Sequence, residues 1–106
     1  MSPNMPTQGA DTVFFAVDQA VFAGLQDGEG VIVDTKSAFY FGLNKTASFL
    51  WEKLQKDKEV TAAQMTDALC ARFEVTREQA SHDVEDFLKH VIEYGLAKCR
   101  DVSLNK

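Results

Sequence analysis

Cysteine is scarce in this sequence, with Cys70 and Cys99 as the only two. They stand too far apart for a metal-binding pair and are too few for a disulfide framework, so two buried or half-buried free thiols in a reducing compartment are expected. Long apolar runs are absent as well. No window approaches the ~18 consecutive apolar residues of a membrane span, and the N-terminus shows neither the basic nor the apolar segment of a secretory signal. A cytoplasmic location without a membrane partner is therefore expected. Basic residues are in deficit: 11 Lys and Arg face 16 Asp and Glu, for a net charge of −5. Without a basic footprint, nucleic acid and anionic membrane are poor partners, since both require counterion release or headgroup pairing. Catalytic constellations are missing too. There is no Gly-rich phosphate loop, no neighbouring Cys/His pair and no carboxylate pair set in apolar sequence. Neither an enzyme nor a bound cofactor is expected.

What is present is a globular composition, 45% apolar and 25% charged, in a chain with room for one domain. Residues 1–12 hold both prolines and no hydrophobic period, so they read as a tail, followed by a domain over 13–99 and a C-terminal tail over 100–106. Val13 to Val17 is apolar but too short to be settled as a strand or an extended arm. Ala20 to Leu25 and Val31 to Thr35 read as strands flanking the turn residues Asp27-Gly28-Glu29-Gly30, and the short link makes them antiparallel. Lys36-Ser37 is a weaker turn, yet the aromatic run Ala38 to Leu43 reads as a third strand. Phe39, Phe41 and Leu43 share one of its faces; Ala38, Tyr40 and Gly42 share the other.

Three helices follow. Asn44 caps the first, whose apolar stripe is Ala47, Leu50, Trp51 and Leu54 and which the run Lys56 to Glu59 ends. Thr61 with Gln64 forms a capping box, and Val60 against Met65 a hydrophobic staple, for a second helix reaching about Phe73. Thr76 with Gln79 caps the third, whose stripe is Ala80, Val84, Phe87, Leu88 and Val91 and which Gly95 terminates. The predicted fold is thus α+β: a three-stranded antiparallel sheet followed by three helices, resembling a winged helix-turn-helix in its helical part. The third strand ends the meander and so lies at the sheet's open edge, a docking surface for another chain.

The segments Gly28-Glu29-Gly30-Val31-Ile32-Val33-Asp34, Tyr40-Phe41-Gly42-Leu43-Asn44-Lys45-Thr46-Ala47 and Leu50-Trp51-Glu52-Lys53-Leu54 carry a family likeness. It continues through Phe73-Glu74-Val75, Asp83-Val84-Glu85-Asp86-Phe87-Leu88 and Tyr94-Gly95-Leu96. In this ordered combination the chain resembles the PqqD-like family from about Ala20 to Ala97. The resemblance implies a recognition element for ribosomally made, post-translationally modified peptides. Such a domain binds the leader of a precursor peptide and presents the precursor to a peptide-modifying enzyme, often a radical SAM enzyme. It also implies that the leader adds as a strand beside the third strand, in a groove bordered by the third helix. Where the family commonly has a glycine in the turn before that strand and a polar residue just after, this chain has Ala38 and Phe39. A somewhat different leader is expected.

The expected peptide-binding residues are Ala38, Phe39, Tyr40, Phe41 and Gly42 on the strand, and Asp83, Val84, Phe87, His90 and Val91 on the helix. Phe41 and Leu43 also read as plain core, whereas Phe39 and Tyr40 suit a peptide contact. Asp83, Asp86 and His90 border the helical stripe on one side and Ser81, Glu85 and Ile92 on the other; the sequence leaves open which side meets the groove. Metal binding by Asp83, Asp86 and His90 is disfavoured, because exposed polar residues on an acidic helix usually form a solvated face. His82 reads as surface and Trp51 as core. Phe49 lies off its stripe, either under the Val13 to Val17 arm or in a patch for a partner enzyme. Two other readings compete: a winged-helix DNA-binding regulator using Thr76 to Tyr94, disfavoured by that helix's acidity, and a subunit whose edge strand pairs with itself in a homodimer.

Overall fold

In the computed structural model, which describes residues 12–101, a meander of three antiparallel strands comes early in the chain: β2 (Ala20–Gly24), β3 (Gly30–Asp34) and β4 (Phe39–Leu43). A short turn over Gln26–Gly28 links the first pair, with Asp27 and Gly28 both at positive φ. The second link lacks glycine and is built another way. The Asp34 carboxylate accepts the Lys36 N–H at 3.0 Å, and the Ala38 N–H meets the Asp34 carbonyl at 2.6 Å, with Ala38 itself at φ 65° where the chain turns into β4.

The sequence predicts one sheet and then helices alone; the protein has two sheets. β1 (Thr12–Ala16) lies between β5 (Val60–Thr61) and β6 (Ala97–Asp101), antiparallel to both. The apolar run left open between strand and arm is therefore a strand. Its partners come from residues read as a staple and cap and from residues flanking or inside the expected C-terminal tail. Thr12, Arg100 and Asp101 lie in strands, while residues 1–11 and 102–106 of the expected tails lie outside the described residues.

The helices follow their punctuation. α1 (Lys45–Asp57) starts where Asn44 Oδ1 accepts the Ala47 N–H at 2.9 Å. α2 (Ala62–Arg72) carries the full Thr61/Gln64 capping box. α3 (Arg77–Glu93) starts at Thr76, whose hydroxyl accepts the Gln79 N–H at 3.1 Å. It ends in a left-handed glycine cap: Gly95 at φ 73° donates to the Ile92 carbonyl and Leu96 to the Val91 carbonyl, the pairing that only a residue free of Cβ strain makes cheaply.

One core joins these parts. Phe14 from β1, Ile32 from β3, Leu50, Trp51 and Leu54 from α1, Met65 and Leu69 from α2, and Leu88 from α3 are all buried. Trp51 is fully enclosed, and its Nε1 has no hydrogen-bond partner. Gly30 is the tight spot of the meander, since a Cβ there would fall 2.4 Å from the Phe22 ring. Phe49, off the α1 stripe, packs edge-to-face on Phe73 with ring centroids 5.5 Å apart. Both cysteines are free and half-buried, and burial pushes the Cys99 thiol above its ordinary range.

Candidate functional site: an open strand edge beside a groove

Among the described residues β4 pairs with β3 on one side only, so its other edge presents unpaired backbone groups. Which groups these are follows from the neighbouring ladder. The Thr35 N–H donates to the Gln19 carbonyl at 2.9 Å and the Leu25 N–H to the Glu29 carbonyl at 2.7 Å. Continued one step at each end, the β2–β3 register sets these residues directly opposite one another, so odd-numbered β3 residues turn their backbone groups toward β2 and even-numbered ones toward β4. The partners of Gly30, Ile32 and Asp34 are Leu43, Phe41 and Phe39. The N–H and C=O of Tyr40 and Gly42 therefore face the open edge.

The side chains alternate the other way. Phe41 and Leu43 pack against the core on the helix side, where Phe41 meets the Tyr94 ring at a centroid distance of 5.0 Å. Tyr40 shares a cross-strand row with Val33 and Val21 on the far face and is 75% exposed. Between β4 and α3 runs a groove of about 450 Å³ lined by Tyr40, Phe41, Gly42, Leu43, Asn44, Ala47, Phe87, His90, Val91, Tyr94 and Leu96. It continues into a smaller hollow of about 280 Å³ that shares Asn44, Ala47, Phe87 and His90 and adds Thr46, Leu50, Asp83 and Asp86. One end is apolar and aromatic; the other is acidic. His90 stacks on Tyr94 at 6.3 Å, and its Nδ1 lies 2.9 Å from the Asp86 carbonyl. Because a carbonyl only accepts, Nδ1 is the donor of that contact.

A larger hollow of about 720 Å³ lies elsewhere, against Phe22, Phe49 and the ionic row Glu52, Lys53, Lys56 and Asp57 of α1. Phe22 of β2, the sheet's other edge strand, is its one strand residue, and the rest of its lining is helical surface, a solvated row that includes the Lys53–Asp57 pair at 2.6 Å. The β4–α3 groove is the stronger candidate because backbone donors and acceptors converge there with apolar walls.

Residues 29–97 match the family model for coenzyme PQQ synthesis protein D (PqqD). The chain belongs to the PqqD family. Among solved structures it is similar to TbiB1 in complex with the TbiA(β) leader peptide, at 28% identity and TM-score 0.70, over 79% of this chain and 94% of that one. It is also similar to lasso peptide synthetase B1 complexed with the leader peptide, at 26% identity and TM-score 0.67, over 80% and 96% of the two chains. No curated protein matches.

Set against the PqqD family pattern, the expected site residues divide. Tyr40, Phe41, Gly42, Phe87, His90 and Val91 meet in the groove, and Asp83 joins them through its acidic extension. The side of α3 bearing Asp83, Asp86 and His90 is the one that lines it. Ser81 and Glu85 instead border a hollow with Thr66 and Arg77 beside α2. Val84 is 1% exposed and belongs to the core, so it is not brought to the groove. Ala38 precedes the strand in the turn, in the left-handed conformation that the family's glycine would adopt freely. Phe39 stands 66% exposed at the strand's start. Tyr94, Asn44 and Leu96 line the groove without having been singled out. Tyr94 was legible: it follows Phe87 and His90 at helical spacing on one face. Asn44 was read only as a cap. Among the described residues no group of three or more His, Cys, Asp or Glu is placed to hold a metal ion, and no helix is long and apolar enough to cross a membrane.

Proposed function

We propose that this chain is a leader-peptide-binding adaptor: it captures a ribosomally synthesised precursor peptide as an added strand on β4 and presents it to a modifying enzyme. The observation that carries this is the juxtaposition of the unpaired Tyr40 and Gly42 backbone with the Phe41–Phe87–Tyr94 groove. Strand addition draws affinity from such backbone groups and specificity from flanking pockets. The two similar leader-peptide complexes support the same use of this fold. The chain supplies binding and no chemistry of its own, so the reaction belongs to the partner, for which the family likeness favours a radical SAM enzyme. α2 and α3 beside the meander support a winged-helix likeness turned from DNA to peptide. DNA readout by α3 is disfavoured because Glu78, Asp83, Glu85, Asp86 and Glu93 outweigh Arg77 and Lys89.

The test is a calorimetric titration with the synthetic leader of a precursor encoded beside this gene, followed by amide hydrogen exchange on the complex. Binding with new protection at the Tyr40 and Gly42 amides is expected. Binding that leaves both amides unprotected moves the site away from β4.

A further inference from the structure

We infer that the groove selects leader segments of the form basic–x–apolar, in which a Lys or Arg lies two residues N-terminal to an apolar anchor. This rests on the strand-addition reading above and names the peptide chemistry that the site takes. The backbone groups of Tyr40 and Gly42 fix the register. A peptide strand bonded to them places the residues opposite Phe41 and Leu43 on the groove side of the sheet, and these two are i and i±2 in the peptide. The residue opposite Phe41 enters the compartment walled by Phe41, Phe87, Val91 and Tyr94. That compartment is apolar. The residue opposite Leu43 lies toward Asn44, where the groove opens into the hollow bordered by Asp83 and Asp86.

Two points give the second position its charge. The ion pairs among the described residues join Lys53 to Asp57, Arg77 to Asp67 and Arg100 to Glu59, which leaves Asp83 and Asp86 without a cation. Asp83 accepts only the neutral Gln79 amide at 3.0 Å. The distances also suit a long side chain. Asp86 and Tyr94 are separated by roughly 12 Å along the helix axis at about 1.5 Å per residue, whereas a two-residue step in a strand covers roughly 6.7 Å. A Lys or Arg spans the remainder while packing its stem on the apolar wall. The order follows from strand direction. Every pairing of the β2–β3–β4 sheet is antiparallel, and antiparallel ladders are the more stable per residue, so the residue opposite Leu43 precedes the one opposite Phe41.

The experiment is a nine-residue peptide array in a Ser/Thr/Val frame, with positions i−2, i and i+2 varied and the full chain as the labelled probe. Lys or Arg at i−2 with an apolar residue at i should exceed Ser at i−2 by about three- to fivefold at low salt and fade as salt rises. Asp or Glu at i−2 should bind least. Asp83→Asn combined with Asp86→Asn, checked by thermal melting for an unchanged fold, should flatten that charge preference while the ranking of apolar residues at i persists. A preference that survives the double substitution, or one for a basic residue at i+2, overturns the inference. So does charge-indifferent binding that Gly42→Pro still abolishes, an outcome that keeps strand addition intact. Binding that Gly42→Pro leaves untouched, or binding by no peptide at all, removes strand addition and the inference together.

Discussion

Ala38 shows how one residue can carry a strain that the fold tolerates. Its φ of 65° places a Cβ where the left-handed region disfavours one, at a cost of roughly 1–2 kcal/mol. The turn holds because the Asp34 carboxylate and carbonyl secure the Lys36 and Ala38 amides on either side of the bend. Glycine would relieve the strain but bring a more flexible unfolded chain, which offsets part of the gain. Ala38→Gly should therefore stabilise the domain by about 0.5–1 kcal/mol and raise its melting temperature by roughly 2–8 °C. A calorimetric melt checks this, and a lowered melting temperature would mean that the strain is absent in solution. The same residue explains why the turn was hard to read: Lys36-Ser37 carries no glycine or asparagine, and the compensating contact comes from Asp34 upstream.

At the scale of elements, local chemistry was legible and remote pairing was not. Each helix begins at the hydroxyl or amide that its sequence announces, because capping is decided within four residues. The meander was legible for a similar reason, with short links between β-branched or aromatic runs. The second sheet was not, since β1 meets β6 across almost the whole chain and β6 (Ala-Lys-Cys-Arg-Asp) has neither β-branched residues nor a long apolar run. For the site, the sequence placed the open edge and the helix but not the side of the helix that turns inward. Val84 is expected both on the buried stripe and at the groove, and packing places it in the core. The backbone parity of β4 was likewise hidden until the Thr35–Gln19 and Leu25–Glu29 bonds fixed it. It leads to a sharp expectation. Proline at Tyr40 or Gly42 removes a donor that faces the open edge, so the domain should stay folded and lose peptide binding. Proline at Phe41 removes a donor to β3 and should destabilise the domain beyond the loss seen in Phe41→Ala. Thermal melts and leader titrations on Tyr40→Pro, Tyr40→Ala, Gly42→Pro, Phe41→Pro and Phe41→Ala measure both effects. Equal destabilisation at both parities would refute the assignment.

For the whole molecule, the question is whether the second sheet is part of the cooperative unit or an appendage to it. Phe14 of β1, Val60 of β5 and Leu96 and Ala97 beside or within β6 are buried in the same cluster as Ile32 and Trp51. Shared burial argues for one unfolding transition. The β1–β6 ladder can be broken selectively. The Val17 N–H donates to the Leu96 carbonyl at 2.9 Å, and continuing that register makes Phe15–Lys98 and Val13–Arg100 the hydrogen-bonded pairs. Lys98 is exposed, so Lys98→Pro breaks a backbone bond to β1 with little loss of packing, and Lys98→Ala controls for the side chain. The proline should cost on the order of 3 kcal/mol. Trp51 is the single tryptophan and lies at the centre of the core, so its fluorescence reports on α1 while far-UV circular dichroism reports on all elements. With one cooperative unit, urea unfolding of Lys98→Pro shifts both signals to the same lower midpoint. If the dichroism signal shifted while Trp51 fluorescence kept its original midpoint, the second sheet would be an independent flap, and the peptide groove would rest on the meander and helices alone.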